Sequence, residues 1–194
     1  LVNALSGFLS TVPLGQPGLF DRADAEHYRR LDAVSFTVRH DDGLGLSDLP
    51  QADLVIVGPS RTSKTPLCAY LAHTRGLKVA NVPLALGVEP PAILKQLDPA
   101  RVVGLSMNAH VLASVRRQRL PEIGADIQYA DTSFVQRELR YCHELYRRSP
   151  VWRVVDVTAR SIEEVASAVC ALTLDAPPGQ PGSEAGARGK AVAR

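Results

Sequence analysis

The sequence predicts an α/β fold in which a mainly parallel sheet is flanked by helices. Short apolar runs alternate with segments of helical period along the 194 residues, and this alternation is typical of parallel sheets. Apolar residues make up 45% of the chain, which is enough for a sizeable core. The clearest unit joins strand 53–57, helix 65–74 and strand 78–82. It has about the length of a parallel crossover.

The residues ahead of this crossover are interpreted from turn and cap signals. Residues 1–10 fit a short helix, and several Pro and Gly residues predict a loop over 12–19. Asp21 or Asp24 is placed to cap a helix that reaches Leu31.

An alternating pattern follows. Within residues 33–39, Val34, Phe36 and Val38 alternate with polar residues. This period of two predicts a half-buried strand, with a continuing helix as the alternative. Residues 40–50, rich in Asp and Gly, predict a loop.

The second half of the chain continues the alternation. The elements predicted there are helix 91–97, strand 102–107, helix 109–119, helix 133–148, strand 151–157 and helix 162–173. Helix ends carry local signals: Gly76 lies where a C-terminal glycine belongs, and Asp131 or Thr132 caps the longest helix. Ser161 and Glu164 form a capping box for the last helix.

The loop after the first strand of the crossover carries the strongest functional signal. The apolar run ends at Gly58, and Lys64 and Thr65 open the next helix. The spacing matches the phosphate-binding pattern G-x-x-x-x-G-K-[ST], except that Ser63 replaces the second glycine. Backbone N–H groups of residues 60–65 and the positive helix end favour phosphate there. The alternative is an ordinary strand–loop–helix with a solvated Lys64.

Side chains of this loop add chemistry to the backbone. Lys64 brings a full charge to the outer phosphates, and Thr65 can place its hydroxyl group on Mg²⁺. Arg61 offers a planar donor fork for a second phosphate or for developing charge. The candidate nucleotide-binding residues are Gly58, Pro59, Ser60, Arg61, Thr62, Ser63, Lys64 and Thr65.

A second constellation is His40-Asp41-Asp42-Gly43. Adjacent carboxylates beside a His can supply a Mg²⁺ ligand and a general base. We therefore predict Asp41 or Asp42 as the catalytic base, Asp42 with Thr65 as metal ligands, and His40 as the weaker candidate. Lys64 and Arg61 complete the catalytic set. The alternative is a solvated, Asp-rich turn.

A basic helix end offers a third, weaker signal. Arg116, Arg117 and Arg119 could hold a phosphate group, but such a run is more often a solvated face. We favour the solvated face here.

Composition excludes few classes of protein. The net charge of +2 demands neither nucleic acid nor an anionic membrane as partner. No apolar stretch reaches the roughly 20 residues that span a bilayer. Cys68, Cys142 and Cys170 form no spaced pair, which favours a reducing cytoplasm over a disulfide framework. The sequence leaves both a monomer and a homodimer as alternatives.

Several separate blocks follow one another along the chain. They are Pro17-Gly18-Leu19, Tyr28-Arg29-Arg30-Leu31-Asp32-Ala33, His40-Asp41-Asp42-Gly43, Gly58 to Leu67, Lys78-Val79-Ala80-Asn81-Val82-Pro83-Leu84, Tyr129-Ala130-Asp131, and Asp156-Val157-Thr158 with Ser161-Ile162-Glu163-Glu164. In this order the blocks resemble one family, the regulatory proteins of pyruvate, phosphate dikinase and phosphoenolpyruvate synthase. The resemblance runs from near residue 1 to about residue 172.

The resemblance implies a specific activity. It implies an ADP-dependent serine/threonine protein kinase that transfers the β-phosphoryl group of ADP to a threonine of the dikinase or the synthase. It also implies a phosphorylase that removes this group with inorganic phosphate and releases pyrophosphate. The pair Thr62-Ser63 resembles the dikinase branch more than the synthase branch.

The resemblance also sets domain expectations. Residues 1–20 look like the remnant of an N-terminal domain and linker, 21–175 like a P-loop-like kinase/phosphorylase domain, and 176–194 like a disordered tail. Asn108 stands where family members commonly carry an acid, which puts activity in question. The alternatives are a P-loop kinase or NTPase acting on a small molecule, and an inactive nucleotide-binding fragment.

Overall fold

The computed structural model describes residues 19–123, 127–149 and 151–173. Its helices and strands are α1 (Leu19–Arg39), β1 (Leu54–Gly58), α2 (Lys64–Arg75), β2 (Val79–Pro83), β3 (Val102–Ser106), α3 (Ala109–Ile123), α4 (Thr132–Arg148), β4 (Arg153–Asp156) and α5 (Ile162–Thr173). Short 3₁₀ helices lie at Leu46–Gln51, Ala92–Lys95, Pro99–Arg101 and Ile127–Ala130. The predictions for residues 1–18 and for 174–194 lie outside the described residues.

The strands form one four-stranded sheet in the order β2-β1-β3-β4. All three pairings are parallel, with Val55 opposite both Ala80 and Val102. The predicted α/β class is therefore confirmed. The chain moves outward from β1 to β2 and then returns past β1 to β3, so the order reverses between β1 and β3. Ligands of open parallel sheets bind at such a reversal, beyond the carboxyl ends of the strands.

Strand alternation divides the core between the two faces of the sheet. Leu54 and Ile56 of β1 belong to the core cluster that contains residues of α2 and α5. Val55 and Val57 of β1 belong to the opposite cluster, which contains Tyr146 of α4. These strand residues are almost fully buried. Apolar residues on both faces are expected for parallel strands covered by helices on both sides.

Tyr146 closes the sheet from the α4 side. Its ring covers Gly104, where an added Cβ would lie 2.7 Å from the ring. Its hydroxyl group donates to the carbonyl oxygen of Leu105 at 3.0 Å and lies 3.5 Å from that of Val57. One buried phenol thus contacts the ends of both strands at the reversal point.

The predicted strand at 33–39 is wrong, because α1 continues to Arg39. Ala33, Phe36, Thr37 and His40 are buried, which is helical spacing, whereas Val38 is exposed. The helix also covers the edge of β2. The hydroxyl oxygen of Thr37 accepts a hydrogen bond from the Val79 N–H group at 3.1 Å. The face of α1 that packs on β2 is therefore the buried face of the helix, and it covers the open edge of the sheet.

Other elements differ less. The helix expected at 91–97 is only a single 3₁₀ turn, Ala92–Lys95, and the 40–50 loop contains the 3₁₀ helix Leu46–Gln51. Four predicted strands are confirmed within two residues. The helix cap predicted at Asp21 or Asp24 is wrong, because α1 already begins at Leu19. Gly76 adopts the left-handed conformation after α2, and the Asp131 carboxylate caps α4.

Two further predictions concern packing and helix ends. The Ser161 N–H group donates to the Glu164 carboxylate at 2.8 Å, as a capping box requires. Cys68, Cys142 and Cys170 are all buried, and none of them is in a disulfide bond. Among the described residues, no helix is both long and apolar enough to cross a membrane.

Candidate active site

The loop between β1 and α2 forms the base of the candidate site. Gly58 ends β1 at the reversal point of the sheet. A Cβ at this position would lie 3.1 Å from the carbonyl oxygen of Leu105. Glycine is required there because the loop leaves the sheet against the backbone of β3.

The loop holds two residues in the left-handed region, Arg61 with φ 69° and Ser63 with φ 62°. Ser63 is the residue that replaces the second glycine of the phosphate-loop pattern. The structure shows why glycine is usual there, since an L-residue in this conformation costs roughly 1–2 kcal/mol. Ser63 thus adopts the left-handed conformation that glycine adopts most readily.

Lys64 folds back over its own loop. Its side chain is only 6% exposed, and its Nζ atom donates to the carbonyl oxygen of Pro59 at 3.0 Å. Thr62 donates to the same oxygen at 2.9 Å. Burial lowers the pKa of Lys64, and the nearby Asp42 carboxylate partly opposes this shift. An ammonium group kept this dry interacts strongly with any anion that reaches it.

The second predicted constellation lies directly against α2. The Thr65 hydroxyl group donates to Oδ1 of Asp41 at 2.9 Å. Asn81 of β2 donates through Nδ2 to the same carboxylate and lies 3.3 Å from the Thr65 hydroxyl oxygen. The Asp42 N–H group donates to Oδ1 of Asn81 at 3.2 Å. Asn81 is 1% exposed, so a buried amide joins Asp41, Asp42 and Thr65.

Sequence reasoning missed Asn81. The available signal was its position in the apolar run Val79-Ala80-Asn81-Val82. A buried polar residue in such a strand is more informative than an exposed one, because it must find hydrogen-bond partners.

These groups line one cleft of about 430 Å³. Its lining residues are Asp41, Asp42, Ser60, Arg61, Ser63, Lys64, Thr65, Pro66, Val115 and Arg119. The loop and the two carboxylates thus face the same space, with α3 as the opposite wall. Three residues of the predicted loop, Gly58, Pro59 and Thr62, are buried and do not line the cleft.

His40 is not part of the cleft. Its ring is 3% exposed and stacks on Phe36 with 3.8 Å between ring centroids. Its Nδ1 atom lies 2.7 Å from the carbonyl oxygen of Phe36. The ring is therefore a packing group at the end of α1, which agrees with its rank as the weaker candidate.

The basic end of α3 is not a uniform solvated face. Arg116 is fully buried and paired with Glu138 at 2.5 Å, so the prediction is wrong for this residue. Arg117 is exposed, whereas Arg119 lines the cleft. Arg116 occupies the helix face of the buried Leu112 and Ala113, and that spacing was the signal in the sequence.

Asn108 has a structural role at the start of α3. Its side-chain oxygen accepts hydrogen bonds from the N–H groups of His110 at 2.9 Å and Val111 at 3.4 Å. This is N-cap geometry. Asn108 is not among the residues that line the cleft.

Metal-binding capacity in the site is small. Across residues 19–123, 127–149 and 151–173, no group of three or more His, Cys, Asp or Glu side chains is arranged to hold a metal ion. Mg²⁺ needs only one or two carboxylates when substrate phosphates and water supply its other ligands. The donor set of Asp41 and Thr65 fits that pattern.

The parallel sheet, with the β1–α2 loop at its reversal point, is consistent with an α/β nucleotide-binding fold. Sequence comparison is more specific: the profile of the kinase/pyrophosphorylase family matches residues 1–170. The chain belongs to that family.

Curated relatives are similar over most of this chain. A protein of Trichlorobacter lovleyi is 47% identical over 171 residues, covering 87% of this chain and 63% of the relative. A Geobacter sulfurreducens protein is 46% identical over the same shares, and one from Sorangium cellulosum is 44% identical over 86% of this chain and 59% of its own. All three are named as pyruvate, phosphate dikinase regulatory proteins. The chain thus spans about three fifths of these relatives' length.

Proposed function

We propose that this chain carries the phosphotransfer site of a regulator of pyruvate, phosphate dikinase. In one direction it transfers the β-phosphoryl group of ADP to a threonine of the dikinase. In the other it removes that group with inorganic phosphate. Family membership and the names of the relatives support this proposal, and they favour the dikinase over phosphoenolpyruvate synthase as target. The observation that carries it is the convergence of Lys64, Thr65, Asp41 and Asp42 on one cleft.

Both directions are in-line displacements at phosphorus. In the kinase step the threonine oxygen bonds to the β-phosphorus of ADP, the bond to the bridging oxygen breaks, and AMP leaves. In the phosphorylase step an oxygen of inorganic phosphate bonds to the phosphothreonine phosphorus. The threonine oxygen then leaves and takes up a proton, while the product is pyrophosphate. Because each step needs one phosphate cradle and one proton acceptor or donor, a single cleft serves both.

The loop would supply the phosphate cradle. Its backbone amides and the ammonium group of Lys64 stabilise the phosphate charge, and they do so more strongly because Lys64 is nearly dry. Arg61 lines the same cleft and can pair with a second phosphate or with charge that develops during transfer.

The two carboxylates divide the remaining roles. Asp41, rather than Asp42, contacts the Thr65 hydroxyl group, so we assign Asp41 and Thr65 as the residues that would hold Mg²⁺. The ion, when bound, neutralises phosphate charge. Asp42 lines the cleft and is exposed, and we assign it the proton of the attacking threonine.

The test combines binding with transfer. Calorimetric titration with ADP and Mg²⁺ should show binding to the unaltered chain and its loss in Lys64→Ala. Lys95→Ala, at a lysine that is 77% exposed and outside the cleft, should bind as the parent does. ADP labelled at its β-phosphate should then label a threonine of the dikinase.

Three outcomes would contradict the proposal. If ADP does not bind the unaltered chain, or binds Lys64→Ala equally well, the proposed phosphate-binding role of the loop and Lys64 is wrong. Transfer from ATP to a small metabolite, without transfer from ADP to protein, indicates a small-molecule kinase. Binding without any transfer indicates an inactive nucleotide-binding fragment.

A further inference from the structure

We propose that Tyr129 and Arg116 are positioning residues that hold Ser60, and with it the phosphate loop, in its phosphate-binding conformation. This inference rests on the proposed function, because it concerns the loop that would bind ADP. Neither residue belongs to the loop, and Tyr129 lies in the 3₁₀ helix Ile127–Ala130, far along the chain.

Arg116 holds the backbone of Ser60. Its Nη2 atom donates to the Ser60 carbonyl oxygen at 3.0 Å and to the Glu138 carboxylate. Its Nη1 atom donates to the Tyr129 carbonyl oxygen at 3.2 Å. The guanidinium group is fully buried and Glu138 is nearly so. A planar, ion-paired donor in such a place has little freedom to move.

Tyr129 holds the side chain of the same residue. Its hydroxyl group donates to Oγ of Ser60 at 2.8 Å. Its ring lies against the guanidinium group of Arg116, with 4.3 Å from the guanidinium carbon to the ring centroid. Ser60 is therefore held at its carbonyl oxygen by one residue and at its hydroxyl group by the other.

Geometry links this contact to phosphate binding. In a trans peptide the C=O and N–H bonds point in opposite directions, and no peptide bond among the described residues is cis. When buried Arg116 holds the Ser60 carbonyl group, the Arg61 N–H group must point away from Arg116. Arg61 itself lines the cleft. The contact thus sets the orientation of an amide that a phosphate needs.

The loop needs this outside support because its own conformation is strained. Arg61 and Ser63 both have positive φ, and neither is glycine. Ser63 also makes no side-chain hydrogen bond as the N-terminal cap of α2. A loop that carries such strain keeps its shape only when surrounding contacts over-determine it.

The decisive variant is Tyr129→Phe, which removes one hydroxyl group and keeps the ring beside Arg116. The matched control is Tyr141→Phe, which also removes one hydrogen bond, that to the Val88 carbonyl oxygen at 2.6 Å, but does not touch the loop. We expect ADP to bind Tyr129→Phe about fivefold more weakly, the effect of one net hydrogen bond. Tyr141→Phe should bind ADP as the parent does.

A double-mutant cycle separates positioning from general stability. Ser60→Ala removes the acceptor of the Tyr129 hydroxyl group, so Tyr129→Phe should cause no further loss of ADP affinity in that background. Amide hydrogen exchange gives a second readout: residues 60–65 should exchange faster in Tyr129→Phe but not in Tyr141→Phe, although both variants lose one hydrogen bond of a tyrosine hydroxyl group.

The outcomes distinguish the two proposals. If the unaltered chain does not bind ADP, the proposed function fails and this inference fails with it. If the parent binds ADP and Tyr129→Phe binds it equally well, only the inference is overturned. Additive losses from Ser60→Ala and Tyr129→Phe would also overturn it, because Tyr129 would then act through another residue.

Discussion

The hydroxyl group of Thr65 lies 2.9 Å from Oδ1 of Asp41, a residue 24 positions earlier in the chain. This contact joins the first turn of α2 to the loop that follows α1. Asn81 stabilises it from the edge strand of the sheet by donating to the same carboxylate. The β1–α2 loop and the carboxylate pair, which are separate motifs in the sequence, therefore line one cleft.

Asp41 and Asp42 should be separable by kinetics. Asp42→Asn should lower the transfer rate by about 100-fold or more, because a general base contributes that much, and should leave ADP affinity near that of the parent. Asp41→Asn should instead raise the Mg²⁺ concentration needed for half-maximal transfer. Steady-state assays over a Mg²⁺ series measure both effects.

Glu144→Gln is the control for this pair, since it neutralises an exposed carboxylate on α4 outside the cleft. It should behave as the parent in both assays. A change of Mg²⁺ dependence in Asp42→Asn but not in Asp41→Asn would show that the two assignments are reversed.

Ser63→Gly should stabilise the protein by about 0.5–1 kcal/mol. Glycine removes the left-handed strain at this position but has more freedom in the unfolded chain. Ser114→Gly makes the same chemical change at an exposed site within α3 and should destabilise by about 0.5 kcal/mol. Urea denaturation of both variants tests the opposite signs. A loss of stability in Ser63→Gly would mean that the serine side chain contributes more than its backbone strain costs.

Burial of Lys64 predicts a pH dependence of stability. Burial lowers the pKa of Lys64 from its usual 10.5. As pH rises from the folded-state pKa towards 10.5, the folded protein loses this proton while the unfolded chain keeps it. The unfolded state then binds more protons, so stability rises with pH. The free energy of unfolding of the parent, relative to Lys64→Met, should therefore increase over that window.

Denaturation at a series of pH values from neutral upward measures this difference. Lys95→Met, which makes the same chemical change at a lysine that is 77% exposed, is measured in parallel as the matched control. A flat or falling difference for Lys64→Met would contradict the argument.

The buried pair Arg116–Glu138 should matter far more to stability than an exposed pair. Glu138→Ala leaves a fully buried cation without its partner and should cost about 3–5 kcal/mol. Glu26→Ala breaks the exposed Arg30–Glu26 pair, whose side chains are 45% and 53% exposed, and should cost less than about 1 kcal/mol. Denaturant midpoints measure both.

The double variant Arg116→Met/Glu138→Leu checks the cause. Because it removes both charges, it should be more stable than Glu138→Ala. If it is equally unstable, lost packing rather than an unpaired charge explains the cost of the single change.

Local signals predicted much of the fold. The left-handed glycine at Gly76, the cap at Asp131 and the Ser161–Glu164 box each depend on neighbouring residues alone, and the structure confirms them. The crossover was predicted for a similar reason, because its apolar runs and its loop are contiguous in sequence.

Predictions failed where distant contacts decide. The pattern at 33–39 suggested a strand, but Thr37 on a helix caps the edge of β2, and no local signal shows that edge. Arg116 was interpreted as a surface residue because its partner Glu138 lies on another helix. Asn81 was missed because its partners, Asp41 and Thr65, come together only in the folded chain.

The contacts of the Tyr146 side chain bear on which parts of the cleft can move. It joins α4 to the backbone of both central strands where they part, and Gly104 leaves no gap beneath its ring. These contacts fix the two strand ends at the floor of the cleft against α4. Any change in the width of the cleft must therefore come from its rim, between the Asp41–Asp42 turn and the wall formed by Val115 and Arg119.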